Sequence, residues 1–216
     1  MENTRYLYLM VSRTDTTIGK IIRFFTDFEY NHVSLSLDPS FAHWVSFARF
    51  CRDVPLAGGF VAEDADRFFT DCSSMPVQIF RMEIPESRWR ILNNVFAHAG
   101  NPECGLIYNT FGALASALHM HLPIAGAYTC LEFANAVLET SHTSIRQLSD
   151  SLQPHLIYEG DLHDLVKESG CCNADYLRER TLSTAAGETA MHFLRLARRM
   201  VSPMGFDLVA ANLRLY

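Results

Sequence analysis

With 216 residues, of which 49% are hydrophobic and 19% charged, the chain can bury a substantial core, which excludes wholesale disorder and suits one compact domain, or one with an appended helical segment. A net charge of -6 argues against a general nucleic-acid binder, because no basic stripe is available to neutralise phosphates; the cluster Arg195, Arg198 and Arg199 reads as a solvated helix face. The six cysteines include no Cys-x-x-Cys pair, and neither a signal core nor an apolar run of about twenty residues is visible, so the expectation is a cytoplasmic protein with reduced thiols and no integral membrane segment.

Taken in order, Arg5 to Ser12 predicts a strand. Thr14 or Asp15 caps a helix over 16–28 that puts Ile18, Ile21, Ile22 and Phe25 on one face. Asn31 to Leu37 and Phe41 to Arg49 alternate as strands around the turn signal Asp38-Pro39-Ser40, which predicts an antiparallel hairpin. Pro55 to Gly59 reads as a loop, Asp64 to Asp71 as a short helical or irregular piece, and Val77 to Ile84 as another strand. Pro85 introduces a helix to about Ala99, and Gly100-Asn101-Pro102 breaks it. A largely apolar helix follows from Tyr108 to Leu122, then a helix from Cys130 to about Glu139. Leu156 to Asp161 is a short strand and turn leading into Leu162 to Glu168, and beyond Gly170 the pattern is helical. Strands cluster in the first 84 residues and helices dominate afterwards, which predicts an α+β fold with a boundary between 1–169 and a helical extension, 170–216, packed on it.

Cys130 stands out. Thr129 and Glu132 have the spacing of a capping box, so Thr129 is the expected N-cap and Cys130 the first helical residue, at the positive end of the helix dipole, where a thiolate is favoured. A catalytic thiol needs a base, and His32, on a predicted strand, is the candidate. A regular hairpin register with Leu37 opposite Phe41 sets Ser46 opposite His32, so Ser46 is the expected partner of the ring, with His43 as its competitor. Tyr30 and Tyr128 are candidate substrate-binding phenols, though each also reads as a packing residue.

The order of histidine strand, second polar strand and cysteine helix resembles the permuted papain-like hydrolases of the NlpC-like superfamily, in its YiiX-type and lecithin:retinol acyltransferase-type branches. The similar segments are Val11-Ser12-Arg13-Thr14-Asp15-Thr16, Gly19-Lys20-Ile21-Ile22-Arg23, Tyr30-Asn31-His32-Val33-Ser34, Val45-Ser46-Phe47-Ala48-Arg49, Gly58-Gly59-Phe60, Tyr108-Asn109 and Thr129-Cys130-Leu131-Glu132-Phe133. They span roughly 5–165, and their order and spacing carry more than any one of them. The resemblance implies a mixed sheet packed on the cysteine helix, Cys130 as nucleophile, His32 as base and a polar third residue on the next strand. It implies action on amide, ester or thioester bonds, including those of peptidoglycan peptides and lipids. Ser46 departs from the His, Glu or Gln that some branches carry in third place.

The expected function is therefore a cysteine hydrolase of amide bonds in a small peptide, including one derived from peptidoglycan, acting without a cofactor. The alternatives are a lipid acyltransferase or thioesterase of the same fold, and a non-catalytic binding protein. Small peptide, amide or acyl-lipid substrates are the expected partners, and a homo-oligomer is left open. Seen alone, a cysteine in an apolar helix is most often a buried small hydrophobe. His119 and His121, at i and i+2, diverge around a helix, and Cys171-Cys172 lacks zinc-knuckle spacing, so no metal site is expected.

Overall fold

Strand β1 (Arg5–Ser12) alternates between two apolar faces. Leu7, Leu9 and Val11 enter one core while Tyr8 and Met10 enter a second, so this strand is covered on both faces and lies in the interior of the sheet. The computed structural model describes residues 4–14, 28–70, 74–101, 104–116, 120, 122–167 and 174–201. The helix expected over 16–28, the His119/His121 pair, Cys72 and Cys171-Cys172 lie outside these residues or depend on ones that do.

The other strands are β2 (His32–Ser36), β3 (His43–Arg49), β4 (Gly58–Asp64), β5 (Pro76–Ile84), β6 (Ile107–Tyr108), β7 (Ala127–Tyr128) and β8 (Leu156–Asp161). They form one curled eight-stranded sheet in the order β7-β6-β4-β3-β2-β1-β5-β8. All neighbours are antiparallel except the short parallel pair β6–β7. The helices are α1 (Ala65–Phe69), α2 (Glu86–Phe96), α3 (Thr110–Ser116), α4 (Cys130–Leu138), α5 (Ile145–Leu152), α6 (Ala174–Leu177) and α7 (Leu182–Val201). The α+β class expected from sequence is the class observed. Among the described residues no helix is long and apolar enough to cross a membrane.

Helix α4 is fixed to the sheet by a cluster of phenylalanines. The ring of Phe133 lies 5.3 Å from Phe47 on β3 and 5.2 Å from Phe60 on β4, and those two rings stack at 5.3 Å. All three are buried. Phe133 is one turn beyond Cys130, so the contact that anchors the helix also directs its first residue.

Three sequence expectations are corrected. Gly58-Gly59 is not a turn but the start of β4. A Cβ at Gly58 would lie 2.3 Å from the Ala48 carbonyl oxygen, and one at Gly59 would lie 2.8 Å from that of Leu106, so the glycines permit close strand approach. Tyr108 ends β6 instead of opening a helix. The hairpin is antiparallel as expected, but Leu35 pairs with Val45, two residues from the expected register. Its connection is longer because Ser36 Oγ donates to the His43 carbonyl and accepts from Asp38 N–H, while Phe41 takes a positive φ of 60°.

Helices α6 and α7 lie against the sheet. Leu196 packs with Ile107, Ile124 and Ala127, and Arg199 donates to the carbonyls of Ala125 and Gly105 on either side of the β6–β7 pair. Buried His192 meets Thr110 Oγ1 at 2.9 Å.

A pair of glycine substitutions tests this account. Gly58→Ala should cost about 1–3 kcal/mol, because backbone must move to admit the methyl group. Gly187→Ala, exposed in α7 with open space around it, should be stabilising by about 0.5–1 kcal/mol. Urea unfolding of both variants measures the difference.

Candidate active site

The histidine and the cysteine are positioned by separate local devices. Before β2, the Asn31 N–H donates to the Ser12 carbonyl at 3.0 Å; the Asn31 side chain accepts from Thr14 N–H at 2.7 Å and donates to the Thr14 carbonyl at 3.1 Å. These bonds bind the start of β2 to the end of β1 and set Ser12 opposite His32.

On the other side, Thr129 caps α4 with extended backbone angles. Its Oγ1 accepts from Glu132 N–H at 3.1 Å while Glu132 Oε2 accepts from Thr129 N–H at 2.7 Å, so the capping box read from sequence is present. Asn109, fully buried, ties this box to its surroundings. Its Nδ2 donates to the Leu122 carbonyl at 2.8 Å and to the Glu132 carboxylate at 3.2 Å, and its Oδ1 accepts from Gly112 N–H at 2.8 Å. The Cys130 N–H is thus held in the first turn, where helix N–H groups have no intrahelical acceptor.

Cys130 and His32 line the same cavity, and the sulfur is close enough to the imidazole to raise its pKa. The other partner of the ring is Glu63, on β4. Both carboxylate oxygens lie 3.1 Å from His32 Nε2, which leaves Nδ1 as the nitrogen available to the sulfur. Glu63, 4% exposed, also accepts from Ser34 Oγ at 2.7 Å and lies 3.8 Å from Arg67 Nε.

Burial opposes a charged imidazole, but the charge of the Glu63 carboxylate, the nearby Cys130 and the hydrogen bond the ring donates to Glu63 outweigh it, so the His32 pKa is pushed up to about 10. Burial likewise opposes an ionised Glu63, yet the charge and hydrogen bond of His32, the Arg67 guanidinium and Ser34 together hold its carboxyl below the ordinary value. The pair is therefore imidazolium and carboxylate at neutral pH. Tyr108 also belongs to the site. Burial, then the neighbouring Cys130 and Glu132, raise its pKa strongly, so its phenol stays a proton donor.

Ser46 is not the partner of His32. It is fully buried and donates to the Val33 carbonyl at 2.5 Å. The two-residue difference in register keeps it on the same face of the sheet but moves it along the strand. Because β3 lies between β2 and β4, Glu63 reaches across it to His32 and Ser34. His43, exposed at the start of β3, pairs with Asp64 and is likewise not on the ring. Tyr30 and Tyr128 line the same cavity as Cys130. Tyr30 has its pKa raised to about 12 by burial and by the nearby Glu29 and Glu159; Tyr128 packs on Phe47 at 5.3 Å.

Sequence reasoning missed Glu63 because it missed β4. The signals were the short apolar run Phe60-Val61-Ala62 after Gly59 and the i,i+4 spacing of Glu63 and Arg67.

The site opens into a cavity of about 1020 Å³ whose wall includes His32, Glu63, Tyr108 and Cys130 with apolar Phe28, Phe47, Leu122 and Leu131. Cys130 is 8% exposed. Among the described residues no cluster of three or more His, Cys, Asp or Glu side chains is placed to hold a metal ion. The chain matches no family model, no curated protein and no solved structure.

The buried pair gives stability a defined pH window. A raised His32 pKa contributes stability that is complete below the unfolded value of about 6.5 and is lost as pH rises through about 10. A lowered Glu63 pKa contributes stability present above the unfolded value of about 4.5 and lost as pH falls through the folded one. The melting temperature should therefore decline at both ends of the range. In Glu63→Gln, NMR titration of the His32 ring should give a pKa well below that of the parent protein.

Proposed function

We propose that this protein is a cysteine hydrolase that cleaves acyl bonds through an acyl-enzyme on Cys130. The observation that carries the reading is the hydrogen-bonded pair Glu63–His32 beside Cys130, with the thiol at a helix N-terminus and on the same cavity wall. A thiol, an imidazole and a group that orients the imidazole are the working parts of cysteine acyl-transfer chemistry. The resemblance to permuted papain-like hydrolases of the NlpC-like superfamily supports the same assignment, with Glu63 in the third place.

The raised His32 pKa sets the proton inventory. The imidazolium form of His32 is favoured, so His32 enters the reaction as an acid, and in this reading Cys130 attacks as the thiolate, the nucleophilic form of a cysteine. The sulfur attacks the carbonyl carbon, and the developing oxyanion is met by the Cys130 N–H and the Tyr108 phenol. As the tetrahedral intermediate collapses, His32 protonates the leaving amine, alkoxide or thiolate. Neutral His32 then takes a proton from water, which attacks the thioester and releases the acid. Glu63 keeps Nε2 occupied and the ring oriented throughout.

The favoured substrate bond is an amide in a small peptide. A fatty acyl ester or thioester is the second reading, favoured by the aromatic and aliphatic cavity wall.

A chloroacetamide probe with site mapping, followed by turnover of matched amide, ester and thioester panels, tests the proposal. Cys130 should be labelled ahead of Cys51 and Cys104 near neutral pH. Cys130→Ala and His32→Ala should abolish turnover while remaining folded. Glu63→Ala should lower kcat by about 10²–10⁴-fold, whereas Ser46→Ala should stay close to the parent enzyme. A folded protein whose Cys130 reacts no faster than Cys51 and Cys104 would be a binding protein and would overturn the assignment.

A further inference from the structure

Behind Glu63 the cavity wall continues into a second buried group of charges. Arg67 and Glu63 have side chains 7% and 5% exposed. The Arg67 guanidinium donates to the Arg49 carbonyl, and its Cζ lies 4.3 Å from the centre of the Tyr176 ring. Tyr176, buried on α6, is secured in turn: Arg49 donates to its hydroxyl and lies 5.3 Å from its ring, and Arg52 N–H donates to its carbonyl at 3.1 Å.

We propose that Arg67 and Tyr176 are positioning residues of the catalytic centre: Arg67 ends a buried row of alternating charge, Arg67–Glu63–His32–Cys130, and Tyr176 is the cover that keeps water from its guanidinium. The inference rests on the hydrolase reading, in which Cys130 works as a thiolate. Thiolate, imidazolium and carboxylate alone would leave one uncompensated negative charge in a buried site. With Arg67 the row sums to zero, and each ion has an opposite charge beside it. The groups facing the row are known from each element that bears on it. His32 and Ser34 face Glu63 from β2 and Arg67 faces it from α1; Asp64, Arg49 and Tyr176 face Arg67 from β4, β3 and α6. Arg49 is the cation that opposes Arg67, and its guanidinium is held on the Tyr176 hydroxyl. Helix α6 thus contributes to a reaction centre that it does not touch.

The test is the pH dependence of Cys130 alkylation by iodoacetamide, with peptide mapping, in the full-length protein and in Arg67→Met, Arg67→Lys, Tyr176→Phe and Tyr176→Leu, each checked by circular dichroism. In Arg67→Met the acid limb should move upward, by less than the about one to three pH units that a cation directly beside an acid produces, because Arg67 acts on the sulfur through Glu63 and His32. Arg67→Lys should restore most of the shift. Tyr176→Phe, which keeps the ring, should resemble the parent; Tyr176→Leu should move the limb in the same direction by less. A folded Arg67→Met protein with the parental profile overturns the proposal. If that variant does not fold, parental profiles in both Arg67→Lys and Tyr176→Leu overturn it instead. Parent Cys130 no more reactive than Cys51 and Cys104 defeats the hydrolase reading and this inference together; a reactive parent whose profile ignores Arg67 and Tyr176 defeats this inference alone.

Discussion

A single buried carboxylate organises this molecule. Glu63 has withdrawn from water, and a desolvated ion is tolerated only when its lone pairs and its charge are met. Here both oxygens face the His32 ring, one also accepts from Ser34, and Arg67 lies behind. Removing one partner from such a group typically costs about 3–5 kcal/mol, more than most single contacts contribute. The arrangement therefore fixes β4 against β2 across the intervening strand.

The cysteine half has a different foundation. Its geometry comes from backbone donors and acceptors satisfied at the start of α4, where Thr129 and Glu132 cap one another and Asn109 buttresses the cap. Phe133 then joins the halves by setting the helix on the same two strands, β3 and β4, that frame the carboxylate's path. A polar relay and an aromatic contact thus act on one pair of strands, and displacing either would alter the meeting of sulfur and imidazole.

How much of this was legible in the sequence depended on whether the determinant was local. The capping box, the cysteine at the first helical position, the hairpin and the strands β1 and β5 were readable because neighbours in sequence encode them. Strand β4 was not, since Gly58 and Gly59 read as a turn until one sees how closely Ala48 and Leu106 approach them. The third member of the site was lost with that strand. The hairpin register failed for a related reason: the Asp38-Pro39-Ser40 signal marks a turn, but Ser36 and His43 close a longer connection than three residues. Tyr108 was hidden at the edge of an apolar run whose start is a two-residue strand paired to β7, a contact no periodicity announces.

The parallel pairing of β6 and β7 has a consequence of its own. Chain leaves the sheet after Tyr108 and re-enters beside it at Ala127, immediately before the cysteine helix. Everything between those two points is an excursion whose ends are clamped, by the strand pair from within and by Arg199 from outside. Provided Asn109 and its bonds to Glu132 and the Leu122 carbonyl are kept, such a segment can be varied without shifting the sulfur, while still contributing Leu122 and Ile124 to the cavity wall. It is the natural cassette for grafting a new selectivity onto an unchanged scaffold.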